Sequence, residues 1–139
     1  NLEDYNNYFS FEVNQEQTVI YIRKLFEDYN LKHPDHIHSI DQPIDFAPNE
    51  YSYIIKKGGQ QIGVFSLVLE ERSLLLRRIY IDQSHRNQLS GSKLVEKIIT
   101  FSKLINKELR VNVYDEQASH FYKRLGFQIN FVNYAIRSK

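Results

Sequence analysis

The sequence predicts a single α+β domain built on a mixed sheet, and three observations carry that expectation. Gly58-Gly59 separates two runs of β-forming residues, Tyr51 to Lys56 and Gln61 to Leu69, which is the pattern of a two-residue hairpin. From Ser90 to Asn106 apolar residues recur at helical spacing, and Leu94, Val95, Ile98, Ile99 and Ile105 share one broad face. After that helix comes strict alternation, with Leu109, Val111 and Val113 set against Arg110, Asn112 and Tyr114 on the two faces of a strand.

The other elements follow in chain order. Tyr8 to Val13 reads as the first strand. Asn14 caps a helix whose apolar stripe is Val19, Ile22, Phe26 and Tyr29, spaced three or four apart. The three prolines, Pro34, Pro43 and Pro48, all fall between Leu31 and Asn49, so that segment is irregular or only briefly helical. Glu70-Glu71-Arg72-Ser73 is a turn leading into a third long strand, Leu74 to Asp82. Glu116 to Leu125 forms a short helix, Gly126 suits its left-handed C′ position, and Phe127 to Arg137 supplies one or two closing strands. Gly91 is the glycine that no turn or cap requires.

Composition narrows what such a domain does. At 139 residues the chain fits one domain and buries enough surface to fold without staples. It has no cysteine, which excludes disulfide scaffolds, cysteine-ligated zinc and cysteine nucleophiles. Eighteen Lys and Arg against seventeen Asp and Glu leave a formal net charge of +1, too little surplus for a dedicated duplex-DNA binder. The longest nearly apolar stretch, Val64 to Leu69, is too short for a bilayer about 30 Å thick, and no basic-then-apolar leader precedes it. These features predict a soluble cytoplasmic protein with neither a nucleic-acid nor a membrane partner.

Chemistry concentrates between Leu74 and Leu94, where a strand, a polar loop and the start of a helix follow one another. A helix N-terminus leaves amides unpaired and carries partial positive charge, so it suits an anion. From Gln83 to Val95 there is no acidic residue, whereas Arg86 and Lys93 add positive charge. Ser90-Gly91-Ser92 keeps the first turn small enough for a phosphate to come close. A plain helix cap is the alternative reading of the same residues. Gly91 is followed by Ser92-Lys93-Leu94, which excludes a P-loop, and one glycine is too few for a dinucleotide-binding turn.

These residues resemble the GNAT superfamily of acetyl-CoA-dependent N-acetyltransferases. Its signature, Gln/Arg-x-x-Gly-x-Gly/Ala between a strand and a helix, is matched at Arg86 and Gly91. A second motif, Asn-x-x-Ala-x-x-x-Tyr-x-x-x-Gly-Phe, is matched along Asp115 to Phe127 by Ala118, Tyr122, Gly126 and Phe127. Gly63 suits the family's third strand. The resemblance covers Tyr51 to Phe127 and, before that, only the order of elements.

The resemblance implies a mostly antiparallel central sheet of six to seven strands flanked by helices, with a splayed parallel strand pair containing Ile79 and Val111. It implies acetyl-CoA as co-substrate. Main-chain groups of Ile79 and Ile81 would pair with the pantetheine arm. Amides from Arg86 through Asn87, Gln88, Leu89, Ser90 and Gly91 to Ser92 would hold the pyrophosphate. Asp115 and Ser119 would border the pantetheine, with Tyr122 near the thioester sulfur. Two positions depart from the pattern. Leu89 replaces the first signature glycine, which predicts weakened rather than abolished cofactor binding, and Asp115 replaces the usual asparagine.

Acetyl transfer to an amine needs a route for the amine proton, an acid for the departing thiolate and a donor for the carbonyl oxygen. Tyr122 is the expected acid, and the Ile79 amide a suitable donor. The base is not evident. Glu70 and Glu71 qualify only by nearness in sequence and read better as a solvated turn, which leaves a water relay. Arg77 and Arg78, being adjacent, point to opposite faces of a regular strand. One of them is a candidate to sit near the acceptor and favour an acidic or carboxylate-bearing substrate, but a surface arginine paired with an acid on the next strand is the expected reading. His33, His36 and His38 lie near Asp35 and Asp41, but a proline-broken loop is a poor metal site. The segment borders the acceptor pocket in the family it resembles, so the resemblance implies a role toward the substrate instead. Phe46, Tyr51 and Tyr53 are candidates to shape the acceptor pocket.

The function expected is therefore transfer of an acetyl group directly to a primary amine of a small molecule, peptide or protein, without a metal. Two rivals remain: a CoA-sensing or partner-binding module on the same fold, and an interaction domain without a ligand. An exposed C-terminal strand is compatible with a homodimer.

Overall fold

The computed structural model describes residues 9–35, 37, 39–88, 90–113, 115–129 and 134–137. Seven strands form one sheet in the order β1-β2-β3-β4-β5-β7-β6. They are β1 (Phe9–Glu12), β2 (Glu50–Lys57), β3 (Gln60–Leu69), β4 (Ser73–Ile81), β5 (Glu108–Asn112), β6 (Gln128–Ile129) and β7 (Tyr134–Arg137). Three helices accompany them: α1 (Gln15–Lys32), α2 (Ser90–Leu104) and α3 (Glu116–Arg124). A 3-10 helix, Gln83–Gln88, joins β4 to α2. All strand pairs are antiparallel except β4 with β5.

Local chemistry accounts for the boundaries. The Asn14 side chain accepts a hydrogen bond from the Gln17 amide at 3.0 Å and starts α1. Asp115 does the same for α3 through the Ala118 amide at 2.7 Å. Gly58 and Gly59, at φ 57° and 84°, make the β2–β3 turn. α2 ends two residues sooner than the apolar pattern suggested, because Asn106 adopts φ 57° and takes the left-handed closing position. The buried stripe of α1 is also turned slightly, with Thr18 and Tyr21 buried beside Ile22 while Val19 is only half-buried.

The sheet carries a core on each face. Ile55, Phe65, Leu109 and Val111 pack with Leu94, Val95, Ile98 and Ile99 of α2, and Tyr122 and Phe127 join them. On the other face Ile54 and Val64 meet Tyr21 and Ile22 of α1. Consecutive residues such as Ile54 and Ile55 thus serve opposite cores, as strand geometry requires. A β-carbon on Gly63 would lie 2.0 Å from the Tyr80 carbonyl oxygen, so only glycine permits this approach of β3 to β4.

One topological expectation needs correction. β7 lies between β5 and β6, so among the described residues the C-terminal strand is not the edge of the sheet. Among the described residues no helix is long and apolar enough to cross a membrane.

Candidate functional site

β4 and β5 pair only from Ser73–Glu108 to Leu76–Val111. Past that point β4 continues to Ile81 with no strand on its β5 side among the described residues. A bulge sits at the point of separation: Ser66 faces Arg78 and Leu67 faces Leu76, leaving Arg77 as the extra residue on β4. The extra residue bends the strand where its parallel neighbour is lost.

Main-chain direction follows from the β3 ladder. The Asp82 amide donates to the Ile62 carbonyl at 2.7 Å, and antiparallel pairs alternate between bonded and unbonded. Tyr80 and Arg78 therefore bond to β3, whereas Ile79 and Ile81 turn their amides and carbonyls toward the vacated side. A cleft of about 410 Å³ opens there. Ile79, Tyr80, Ile81 and Arg86 line it from the sheet side, Asp28, Tyr29, Lys32 and His33 from α1, and Asp115, Ala118, Phe121, Tyr122 and Arg124 from the α3 side. Because α1 belongs to one core and Tyr122 to the other, the cleft is walled from both faces of the sheet.

Arg86, the signature arginine, is already engaged. Its Nε donates to the Ile81 carbonyl at 2.7 Å, and a terminal nitrogen meets the Asp28 carboxylate at 2.5 Å. The guanidinium also lies 5.1 Å from the centre of the Tyr80 ring. Of the two β4 residues expected to face a pantetheine arm, Ile81 thus has its carbonyl bonded to the Arg86 side chain. Asn87 and Gln88 close the 3-10 helix, Ser90 opens α2, and Leu89 lies outside the described residues.

Gly91 sits near the cleft wall: a β-carbon there would meet Phe121 at 3.7 Å and Ile81 at 4.0 Å, both ordinary contacts. Its φ is not positive either, since among the described glycines Gly58, Gly59 and Gly126 take that region. The fold itself does not require a glycine at this position.

Tyr122 is 6% exposed, its ring edge-on to Phe121 and Phe127. Burial pushes its hydroxyl pKa well above the ordinary tyrosine value, so the proton stays on at neutral pH. Asp115 lines the cleft but is committed as the α3 cap. Ser119, expected beside it, is half-buried and absent from the lining; Ala118 occupies that place.

A second hollow, also about 410 Å³, adjoins the cleft and shares Leu25 and Tyr29 with it. Phe26, Pro43, Ile44 and Asp45 line it opposite Arg77, Arg78 and Asn112. The bulge overturns the expectation that the two arginines diverge. Arg77 meets Glu50 Oε1 at 2.5 Å, and Arg78 meets Oε2 at 3.4 Å. Arg78 also donates to the Asp45 carbonyl at 2.6 Å and packs between Phe26 and Phe46. The Glu50 side chain is fully buried. Burial alone would raise its pKa, but the Ala47 amide and the two guanidiniums outweigh that and hold it below the usual carboxylate range. Arg77 has a further partner in Asp45 at 3.6 Å, so these cations are balanced by carboxylates of the chain.

Several other expectations change. Phe26 and Tyr29, not Tyr51 and Tyr53, line the hollow: Tyr51 is exposed, and Tyr53 packs against Phe65 on the other core. Glu70 accepts from Ser73 Oγ at 2.7 Å and from Arg110 at 2.8 Å, which fixes it in the β3–β4 turn, at the opposite end of β4 from the cleft. Glu71 is exposed in the same turn. Among the clustered histidines only His33 is described; His36 and His38 lie outside the described residues. Among the described residues no group of three or more His, Asp or Glu could hold a metal ion. Asp28, Tyr29, Lys32, Phe121 and Arg124 were missed in the sequence. Periodicity marks which face of a helix is buried, and nothing local marks which gap that face overlooks.

Solved structures of known proteins share this architecture. An acetyltransferase from Thermus thermophilus matches with a TM-score of 0.71 at 13% identity, covering 95% of this chain and 97% of that one. AtaTR bound with acetyl-CoA matches with a TM-score of 0.59 at 25% identity, over 92% and 91%. The KacTA–DNA complex matches with a TM-score of 0.59 at 23% identity, over 93% and 92%. No curated protein matches the chain. Residues 48–129, more than half of the sequence, match the acetyltransferase (GNAT) domain family, and the chain belongs to it.

Proposed function

We propose that this protein transfers an acetyl group from acetyl-CoA directly to a primary amine. The observation that carries this reading is that beyond Leu76 β4 pairs with β3 alone among the described residues, and its Ile79 main-chain groups face an open cleft. A pantetheine arm is an extended chain with amides, so it can add to that edge as a strand would. The pyrophosphate would then meet the start of α2, where Gly91 leaves room. AtaTR, similar over most of its length, is bound with acetyl-CoA, which supports the choice of cofactor.

In the reaction the amine nitrogen attacks the thioester carbonyl carbon. The Ile79 amide stabilises the oxyanion, and the C–S electron pair leaves on sulfur. Tyr122, keeping its proton, donates a hydrogen bond to the departing thiolate. The acceptor arrives through the hollow lined by Phe26, Tyr29, Pro43 and Ile44, a surface suited to an amine with an apolar flank. Arg77 and Arg78, the cations of that hollow, are committed to Glu50 and Asp45, which disfavours an acidic acceptor. A second reading keeps the cofactor without turnover, and the KacTA–DNA complex supports partner binding in that case.

Thermal melting with acetyl-CoA tests the first half: ligand at 100 times its Kd adds about 2.7 kcal/mol, a shift of several degrees. Thiol release with phenethylamine, spermidine and a peptide with a free N-terminus tests the second. A melting shift without thiol release selects the binding module, and no shift rejects both readings.

A further inference from the structure

The geometry points to His33 as the general base that takes the proton from the acceptor amine. This rests on the acetyl-transfer reading and identifies the group it lacks. His33 is the C-cap residue of α1, half-buried, with its ring stacked on Tyr29 at 4.3 Å between centroids. Tyr29 lines both the cleft and the adjoining hollow, and His33 lines the cleft along with Ile79 and Tyr122. The imidazole therefore belongs to the α1 wall, where an acceptor would enter, and Tyr122 to the opposite core.

Elimination strengthens the assignment. Asp28 is ion-paired to Arg86 at 2.5 Å. Asp115 caps α3. Glu50 lies between two arginines and is held below the usual carboxylate range. Tyr122 is held in its protonated form by burial. Among the described residues the remaining charged side chains lining the cleft, Lys32, Arg86 and Arg124, are basic, and Asp45 of the adjoining hollow is paired to Arg77 at 3.6 Å. Imidazole is the side chain that exchanges a proton near neutrality.

The step balances without a further reactant. The acceptor ammonium first gives one proton to the imidazole, which passes it to solvent. As the nitrogen–carbon bond then forms, the nitrogen's second proton passes to the imidazole, and the carbon–sulfur bond breaks with its electron pair on sulfur. Solvent later takes the proton from the imidazolium and protonates the thiolate.

His33→Gln tests this, with His33→Ala as the second variant. Phenethylamine, spermidine and the free-N-terminus peptide serve as acceptors, and the acetyl-CoA melting shift serves as the binding control. The expected result is a fall in kcat/KM of about a hundredfold near neutral pH with the melting shift unchanged. That loss narrows as pH rises toward the pKa of the amine, near 10 for an alkyl amine, and added imidazole restores turnover to His33→Ala. Variants that match the wild type overturn the assignment. So does a loss that is the same at every pH without imidazole rescue, or one that accompanies a smaller melting shift. A wild-type protein that binds acetyl-CoA and acetylates none of the acceptors rejects the transfer reading itself, and the base with it.

Discussion

Arg86 donates through Nε to the main-chain carbonyl of Ile81, 2.7 Å away, tying the loop back onto the strand that precedes it. Its charge is taken up by Asp28, so the signature arginine braces the loop rather than presenting a free cation.

Arg86→Ala should therefore act mainly on stability. Both partners are about one-third exposed, and a loss of about 1 kcal/mol is expected. Asp28→Asn separates the roles. It removes a negative charge from the cleft proposed to receive the polyanionic cofactor, so acetyl-CoA should bind a few-fold more tightly, most visibly at low salt. Calorimetric titration at two ionic strengths measures this, and weaker binding would mean that Asp28 orients Arg86 for the cofactor.

Glu50 holds Arg77 and Arg78 together from a fully buried position. Glu50→Gln should cost about 1–3 kcal/mol, because it takes the charge from between two guanidiniums whose other bonds, to Asp45, remain. Because the folded pKa is lowered, the carboxylate's contribution is complete above its ordinary value of 4.5 and is lost as pH falls toward the folded value. Urea midpoints between neutral and acid pH should fall in the wild type and stay flatter in the variant.

For Tyr122 the sign is opposite. Its folded pKa is raised above the ordinary value of 10.0, so stability is unaffected below that pH and declines above it. The slope is about 1.4 kcal/mol per pH unit. Tyr122→Phe should flatten the alkaline limb of the denaturation curve, with Tyr21 and Tyr80 contributing what remains. The same variant should lower kcat by about tenfold or more while acetyl-CoA binding holds. Unchanged turnover would remove the hydroxyl from the mechanism.

Gly63 and Gly91 should respond to alanine in contrary ways. Gly63→Ala drives a β-carbon into the Tyr80 carbonyl and should cost about 3 kcal/mol. Gly91→Ala finds ordinary contacts in a helix and should stabilise the free protein by up to about 1 kcal/mol. On the proposed cofactor placement it should nevertheless shrink the acetyl-CoA melting shift, because the added methyl group would occupy space that the phosphate needs there. Alanine tolerated at Gly91 with the shift intact would remove this helix start from the cofactor site.

Much of this was legible in the residues. Asn14 and Asp115 announced their helices, Gly58-Gly59 its hairpin and Gly126 its C′ turn, because each acts on amides or torsions within a few residues. The strand–loop–helix and the Ala118-to-Phe127 motif located the family. Arg77 was not legible, since a bulge is a relation between two strands and β4 alone reads as regular. Nor was the face of α3: its spacing allows either Ala118 or Ser119 toward the cleft, and packing against the sheet chose Ala118.

The sequence by itself determined which segments are helix, strand and turn, and which of two motifs opens and closes the β4-to-α3 region, because short-range torsions and caps decide those. Tertiary structure decided where β4 leaves β5, that β7 fills the interior of the sheet, and that Asp28 reaches Arg86 across 58 positions. It also decided which ionisable groups are spent and which stay available, because desolvation and ion pairing depend on neighbours that only the folded chain brings together.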